Sequence, residues 1–321
     1  MVVSALAPSA FVLGLAIVLD LLIGDPSYAF HPVRLMGRTL GWIENILRGV
    51  GAEGYLGGCW LFLALSLLWV GGTSVVALIL SSWSGLVAGA IHLFLLYSLV
   101  ALRDLLKHVM AVERAAAAED LEGARRAISQ LVGRDIERMD VKACRRAAIE
   151  SLSENLVDGF VSPILWYSLL GLPGLVLFKV VSTMDSMVGY KTIRYLRFGW
   201  CGARLDDLMN LVPARLTWLL LSLVASILPG CSGRKALLVG WKQHAIVPGP
   251  NSGWSEAAAA GALSRRLVGP IWMRGGLVTD IWLGNPADPP AGQSGDVPRA
   301  CVLVTSTALL FGTACIVSLL R

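Results

Sequence analysis

Residues 56–80 read LGGCWLFLALSLLWVGGTSVVALIL, running from Leu56 to Leu80 without one charged side chain. About 20 consecutive apolar residues suffice to cross the hydrocarbon core of a bilayer, so this stretch is long enough to span. Beyond a short polar break, Ser81-Ser82-Trp83-Ser84, the chain is again apolar from Gly85 to Leu102, with His92 inside it. The two stretches are expected to form a tight transmembrane hairpin with 81–84 as its turn. Working outward, Cys301–Leu320 is another candidate span, and Val2–Ile23 is apolar apart from Asp20 and an interruption at Pro8. Leu211–Leu228 is a weaker candidate, carrying Pro213 and Arg215 in its first turns. Phe160–Thr183 is divided by Pro163 and by Gly171-Leu172-Pro173-Gly174. It is expected to form two short helices that cross once or dip in and return, and such breaks need protein or a water-filled cavity around them. The fold class expected is therefore all-α: a polytopic integral membrane protein with four to six transmembrane helices, broken or re-entrant helices, and cytoplasmic helical and loop segments.

Composition agrees. The 321 residues are 55% hydrophobic and 15% charged, against about 25% charged in a soluble domain, and the mean hydropathy is +0.68. Polar and apolar stretches interleave along the whole chain, so residues 1–321 are expected to form a single membrane-embedded unit. The net charge of +5 fits cytoplasmic loops and an anionic substrate. The basic residues are dispersed and accompanied by acids, which argues against a nucleic-acid partner. The six cysteines, Cys59, Cys144, Cys201, Cys231, Cys301 and Cys315, are widely separated and read as small buried hydrophobes. The N-terminus lacks the basic region of a signal peptide and is expected to remain as a membrane segment.

Charge also orients the chain. Arg34, Arg38 and Arg48 follow the first span, and Arg103 and Lys107 follow the third. The excess of Lys and Arg on cytoplasmic loops places 25–55 and 103–156 inside, with the N-terminus and 81–84 outside. If 160–184 returns to the cytoplasm and 211–228 crosses, the basic segment 229–299 ends up outside, so one of those two readings must give way. Residues 103–156 read as a cytoplasmic helical insertion: Arg103–Glu154 holds ten basic and ten acidic side chains, and Val112–Gln130 resembles exposed helices with i,i+4 pairs. Residues 229–299, with many Gly and Pro, read as a loop-rich segment.

Several polar sets stand out against this background. Met184-Asp185-Ser186-Met187-Val188-Gly189-Tyr190-Lys191 opens a block that continues through Arg194, Tyr195, Arg197, Arg204, Asp206, Asp207, Asn210 and Arg215. Ionisable groups are costly in a membrane setting and mark function more often than decoration. On a helix from Lys142 to Asp158, Arg146, Glu150, Glu154 and Asp158 recur every four residues and share one face. Three carboxylates so placed repel one another without a cation such as Mg²⁺; a solvated amphipathic face is the plain alternative. Asp206 and Asn210 share a helical face and Asp207 pairs with Arg204 at i,i+3, a set suited to Mg²⁺ or to a structural ion-pair network. Asp25 and His31 lie in a Pro-punctuated turn, as base or cap. Asn251-Ser252-Gly253-Trp254-Ser255-Glu256 enters an Ala-rich helix and offers an anion site at its N-terminus, with Ser255 as N-cap the simpler reading. No P-loop, dinucleotide fingerprint, H-E-x-x-H or nucleophile elbow occurs.

Taken in order, Leu19–Pro26, His31-Pro32-Val33-Arg34, Gly37-Arg38, Val132-Gly133-Arg134-Asp135, Glu150–Gly159, Thr183–Tyr190, Ala203–Asp207, Pro213–Thr217 and Pro250–Glu256 resemble the adenosylcobinamide-phosphate synthases, the CobD/CbiB family of cobalamin biosynthesis. The departures are Ile136 for the family's Thr, Ser182 for its Asn, and a loosely matched tail after Gly269. The resemblance implies a multi-pass enzyme of the cytoplasmic (inner) membrane, its active site facing the cytoplasm. That enzyme joins the f-propionate carboxylate of adenosylcobyric acid to (R)-1-amino-2-propanol or its O-phosphate, as an ATP-dependent C–N ligase. ATP and Mg²⁺ are the implied cofactors, and the corrinoid is a substrate rather than a prosthetic group. The bilayer and other late cobamide-pathway proteins are implied partners. Residue chemistry and motif membership together make Glu150, Glu154, Asp158, Asp185 and His31 candidate catalytic groups, and Asp206 and Asp207 candidate Mg²⁺ ligands. Asp25, Arg34, Arg38, Asn155, Tyr190, Lys191, Arg194, Arg204, Asn210, Arg215, Asn251 and Glu256 are candidate substrate binders. Asp25, Glu154, Asp185, Asp207 and Glu256 are expected to line one wide cavity, with Gly189 leaving room for the corrinoid. A corrinoid transporter or a non-catalytic scaffold of the late pathway is the alternative.

Overall fold

A computed structural model describes residues 6–25, 28, 30–80, 85–273 and 275–321. The expected turn at 81–84 and the first residues of the Val2–Ile23 stretch lie outside them. The chain divides into two compact units. The first comprises residues up to Ala101, Ser162–Asn210 and Gly312–Arg321; the second comprises Leu102–Val161 and Leu211–Phe311.

In the first unit, α1 (Ala10–Ile23) starts after Pro8 at the N-cap Ser9, whose hydroxyl accepts from the Val12 amide. The helix α2 (Pro32–Gly49) has Pro32 in its first turn, where a missing N–H costs nothing, and buries Met36, Leu40 and Glu44 along one stripe. The uncharged stretch forms α3 (Tyr55–Ser66), a π-helical turn at Leu67–Gly71, and α4 (Gly72–Leu80). After it come α5 (Gly85–Tyr97), α9 (Ser162–Val188) and α10 (Trp200–Met209). Pro163 does not break α9, contrary to expectation. It lies in the first turn, after a π-helical turn at Val157–Val161, so no hydrogen bond within α9 is lost to it. The single break is Gly171 (φ +69°, ψ −159°), in a region essentially only glycine occupies. The carbonyl of Leu6 fills the gap, accepting from the Leu172 amide at 3.0 Å.

The second unit contains α6 (Leu102–Ala117), α7 (Leu121–Ile128), α8 (Val141–Leu156), α11 (Leu211–Ala225), α12 (Gly233–Gln243), α13 (Ser252–Leu263) and most of α14 (Asp296–Leu319). Segment 103–156 is thus not a free-standing insertion; α8 packs on α13 and on a hairpin. Nor is Val112–Gln130 a wholly exposed helix: it is interrupted after Ala117, and Glu113 is buried in a two-pronged ion pair with Arg145 (2.7 and 3.1 Å). The segment 229–299 is built rather than loop-rich, holding α12, α13 and the antiparallel hairpin β1 (Leu267–Met273) and β2 (Gly276–Leu283). Its register runs from Leu267↔Leu283 to Met273↔Gly276, with a bulge between Ile271 and Trp272. Among the described residues this is the one departure from all-α.

Among the described residues four helices are long and apolar enough to cross a membrane: Tyr55–Ala77, Gly85–Ala117, Val141–Val188 and Asp296–Leu319. Trp200–Met209 with Leu211–Ala225 makes a fifth if taken together. Only 11% of the apolar window in Tyr55–Ala77 is buried in the protein, and Trp60, Leu63 and Leu67 point outward. An apolar face of that extent on a soluble protein would drive association; lipid is the solvent that suits it.

Candidate functional site

In the first unit the end of α9 and the length of α10 bring two sequence motifs together. Asp185, one turn before the end of α9, lies within electrostatic reach of Asp206 and Asp207 on α10. Asp206 accepts from Asn210 Nδ2 at 3.0 Å, and Asn210 Oδ1 accepts from the buried Ser162 hydroxyl at 2.5 Å. Asp207 pairs with Arg204 at 3.3 Å. Both i,i+3/i,i+4 pairings expected on this helix are therefore present. Lys179 acts electrostatically on Asp206. Sequence reasoning passed over Lys179 because it lies within a long apolar stretch, yet a single ammonium in such surroundings is itself a signal. Gly189 does not leave space for a substrate: a Cβ there would come within 2.2 Å of Asp185 Oδ1. The position is kept bare for the carboxylate of Asp185 itself.

Elsewhere in this unit His31 Nε2 and Asp25 Oδ1 stand 2.8 Å apart, and Arg34 reaches the Tyr28 carbonyl. Tyr28 contacts Ser98, and the Tyr97 hydroxyl donates to the Gly24 carbonyl, so this turn is tied to the end of α5. The buried Glu44 accepts from Arg48 (2.8 Å) and from Arg194 (3.1 Å), which gives Arg194 a partner. Arg38, Tyr190 and Lys191 are exposed.

In the second unit the acidic stripe of α8 is buried at Glu150 and open to solvent at Glu154. Glu150 is 2% exposed. One oxygen accepts from Arg134 Nη2 at 2.6 Å and the other from the Val268 amide at 2.9 Å. Arg146, one turn earlier, donates from Nε to the Val268 carbonyl at 2.9 Å. The two side chains thus clamp a residue whose φ of +67° is a real outlier for a β-branched side chain. Glu154 continues the row on the exposed side. Asp158, half-buried, lies in the π turn that follows α8.

Glu256, in the second turn of α13, is 8% exposed. Burial, with Glu154 and then Glu150 beside it, pushes its carboxyl well above the ordinary carboxylate range, Arg134 pulling the other way. Ser255 is not the N-cap: α13 begins at Ser252 with Asn251 before it, and no side chain caps it. Arg215 donates to Asn251 Oδ1 at 3.4 Å and lies over Trp254, joining the 213–217 and 250–256 motifs. Asn155 turns back to Ser151. Asp25, Asp185 and Asp207 belong to the first unit, Glu154 and Glu256 to the second. Among the described residues no three His, Cys, Asp or Glu side chains converge in a metal-holding arrangement.

Over residues 13–304 the chain matches the family described as CobD/Cbib protein. It is 39% identical over 297 residues to the cobalamin biosynthesis protein CobD of Rhodobacter capsulatus, covering 90% of each chain. The protein of the same name from a Sinorhizobium species is 40% identical, with 86% of this chain and 87% of that one covered. That from Klebsiella pneumoniae is 38% identical, with 84% and 85% covered. No solved structure matches.

Proposed function

Because the chain belongs to the CobD/CbiB family of cobalamin biosynthesis proteins, we propose that it forms an amide between the f-propionate carboxylate of adenosylcobyric acid and (R)-1-amino-2-propanol or its O-phosphate. The proposed setting is the inner membrane, with the reacting groups on the cytoplasmic side. The observation that carries this reading is the convergence of motifs distant in sequence: 183–190 with 203–210 around Asp185, Asp206 and Asp207, and 150–159 with 250–256 around Glu154 and Glu256. Structural ion pairs alone would not keep like charges together.

An unactivated carboxylate does not accept an amine at neutral pH; Mg²⁺-ATP would supply an activating phosphoryl group. The donor set fits Mg²⁺ in the mode that uses one or two carboxylates and completes its shell with phosphate and water, with Asp206 and Asp207 as the holders. Lys191, Arg204 and Arg215 are assigned to phosphate or propionate oxygens, which guanidinium and ammonium donors bind through charge-assisted hydrogen bonds. The amine arrives as an ammonium and must lose a proton before it attacks. A carboxylate with a raised proton affinity is the better base, and Glu256, with Glu154 beside it, is given that task. Asp25 holds His31 in the turn after α1, and His31 is assigned to orienting substrate there. The test is mass analysis of products from the purified, detergent-solubilised chain supplied with adenosylcobyric acid, either amine and Mg²⁺-ATP. A corrinoid heavier by the amine less one water supports the reading; unchanged corrinoid with an active control enzyme sinks it.

A further inference from the structure

Between α9 and α10 of the first unit the connection 189–199 carries apolar side chains outward. Ile193 is fully exposed, and Leu196 and Trp200 are exposed after it. The Leu196 amide donates to the Thr192 carbonyl (2.8 Å) and the Gly199 amide to that of Tyr195 (2.7 Å). These are helical i,i+4 bonds, and spacings of three and four then put the three apolar side chains on one face. The connection is held firmly from beneath. Phe198 is fully buried, the Arg48 guanidinium lies 4.5 Å from its ring centroid, and Arg48 Nη2 donates to the Arg194 carbonyl at 3.2 Å. The helix α3 comes so close to the Phe198 carbonyl that Gly58 has no room for a Cβ. The apolar face does not stand alone. Trp200 meets Tyr55 edge-on, ring centroids 5.6 Å apart, and Leu56, beside Tyr55, begins the charge-free stretch whose side chains point outward. From Tyr190 to Arg204 there is no Asp or Glu. Arg197 is exposed, and Arg194 stays exposed although it pairs with Glu44.

We propose that the 190–200 connection is an interfacial contact selective for anionic phospholipid. Ile193, Leu196 and Trp200 enter the bilayer boundary at the level where α3 begins, and Arg194 and Arg197 bind the headgroups of that leaflet. Tyr and Trp settle at the membrane–water boundary because each joins an apolar ring to a polar tip, so the Tyr55–Trp200 pair marks that level on the first turn of α3. A segment with an apolar face and cations above it lies in the plane of the interface, and arginine stems lie along apolar surface while the guanidinium reaches outward. Each cation near an anionic surface favours binding by about fivefold. A zwitterionic headgroup sets a positive amine beside its phosphate and loses that advantage. Continuity with the outward face of α3 selects lipid over a protein partner, which would have to displace lipid from the start of that helix.

The test puts a photoreactive benzophenone side chain in place of Ile193 in the full chain, reconstituted in vesicles of phosphatidylcholine and phosphatidylglycerol in equal amounts. Because Ile193 is fully exposed, the replacement should leave the unfolding midpoint unchanged. Irradiation should give lipid adducts, and mass analysis should find phosphatidylglycerol enriched over phosphatidylcholine by at least about fivefold. Added salt should lower that ratio. Arg197→Glu should bring it close to one, with Arg197→Gln between the two. Absence of lipid adducts overturns the contact. So does capture of a second copy of the chain in place of lipid, which would make the patch a protein interface. Equal capture of the two lipids, or a ratio unchanged by Arg197→Glu, overturns the headgroup selectivity. No substrate enters the experiment, so its outcome is separate from that of the ligase assay.

Discussion

Glu256 carries a buried carboxyl with two other carboxylates nearby, and its elevated proton affinity has a definite sign in stability. The folded protein binds this proton more tightly than the unfolded chain, whose glutamates titrate near about 4.3. The stabilisation is complete below that value and is lost as pH rises through the raised folded value. Glu256→Gln should therefore lose most of the drop in unfolding midpoint that the wild type shows between mildly acidic and mildly basic pH; parallel curves would mean that Glu256 is not the titrating group. In the amide-forming assay the same variant should fall by at least about a hundredfold. Glu150 should behave differently. Glu150→Ala strands Arg134 and the Val268 amide, and removing one partner of a buried pair costs about 3 kcal/mol or more, so its first effect should be a lowered unfolding midpoint in detergent. Glu154→Gln and Asp185→Asn, near-isosteric, should keep the midpoint and lose activity. Retained activity in both would return them to structural roles. From the sequence, the carboxylates of α8 and of 183–210 were recognisable as chemistry-bearing. Which of them was already satisfied was not, because the partner of Glu150 is a backbone amide more than a hundred residues away.

Among the helices, α9 shows most plainly what local rules decide. Pro163 and Pro173 look equally disruptive in sequence, yet the chain is helical through both and breaks only at Gly171. Proline is tolerated where its missing N–H falls in a first turn or just after a break. A Cβ at Gly171 would lie 2.2 Å from the Leu6 carbonyl oxygen, and the backbone conformation alone costs an L-residue about 1–2 kcal/mol. Gly171→Ala should therefore lower the unfolding midpoint more than Gly89→Ala, where nothing lies within 4 Å of the added methyl; equal midpoints would show that α9 has no fixed break. The uncharged stretch at 56–80 was legible because length and absence of charge alone decide it. The hairpin was not foreseen, although Leu267–Met273 and Gly276–Leu283 are rich in β-branched and aromatic residues around Gly275-Gly276, the signal of a turn between strands. A Gly- and Pro-rich composition over 229–299 masked it.

The whole molecule should remain with the membrane fraction through salt and carbonate washes and be released only by detergent, since the described residues bury only 11% of the apolar window of Tyr55–Ala77. Recovery of intact chain in the soluble fraction would contradict this. At this scale the sequence disclosed the solvent but not the tertiary pairings, because a contact such as Arg145–Glu113 joins side chains 32 residues apart that no local pattern links. The chemistry is tested most directly by following one oxygen. The purified chain is given adenosylcobyric acid labelled with ¹⁸O in the f-propionate carboxylate, the amine and Mg²⁺-ATP. If ATP activates the carboxylate, one labelled oxygen leaves with the phosphoryl group for each amide formed, and the released phosphate or nucleotide carries it. Amide formed without ATP, or with no label in any phosphorus-containing product, would contradict the account.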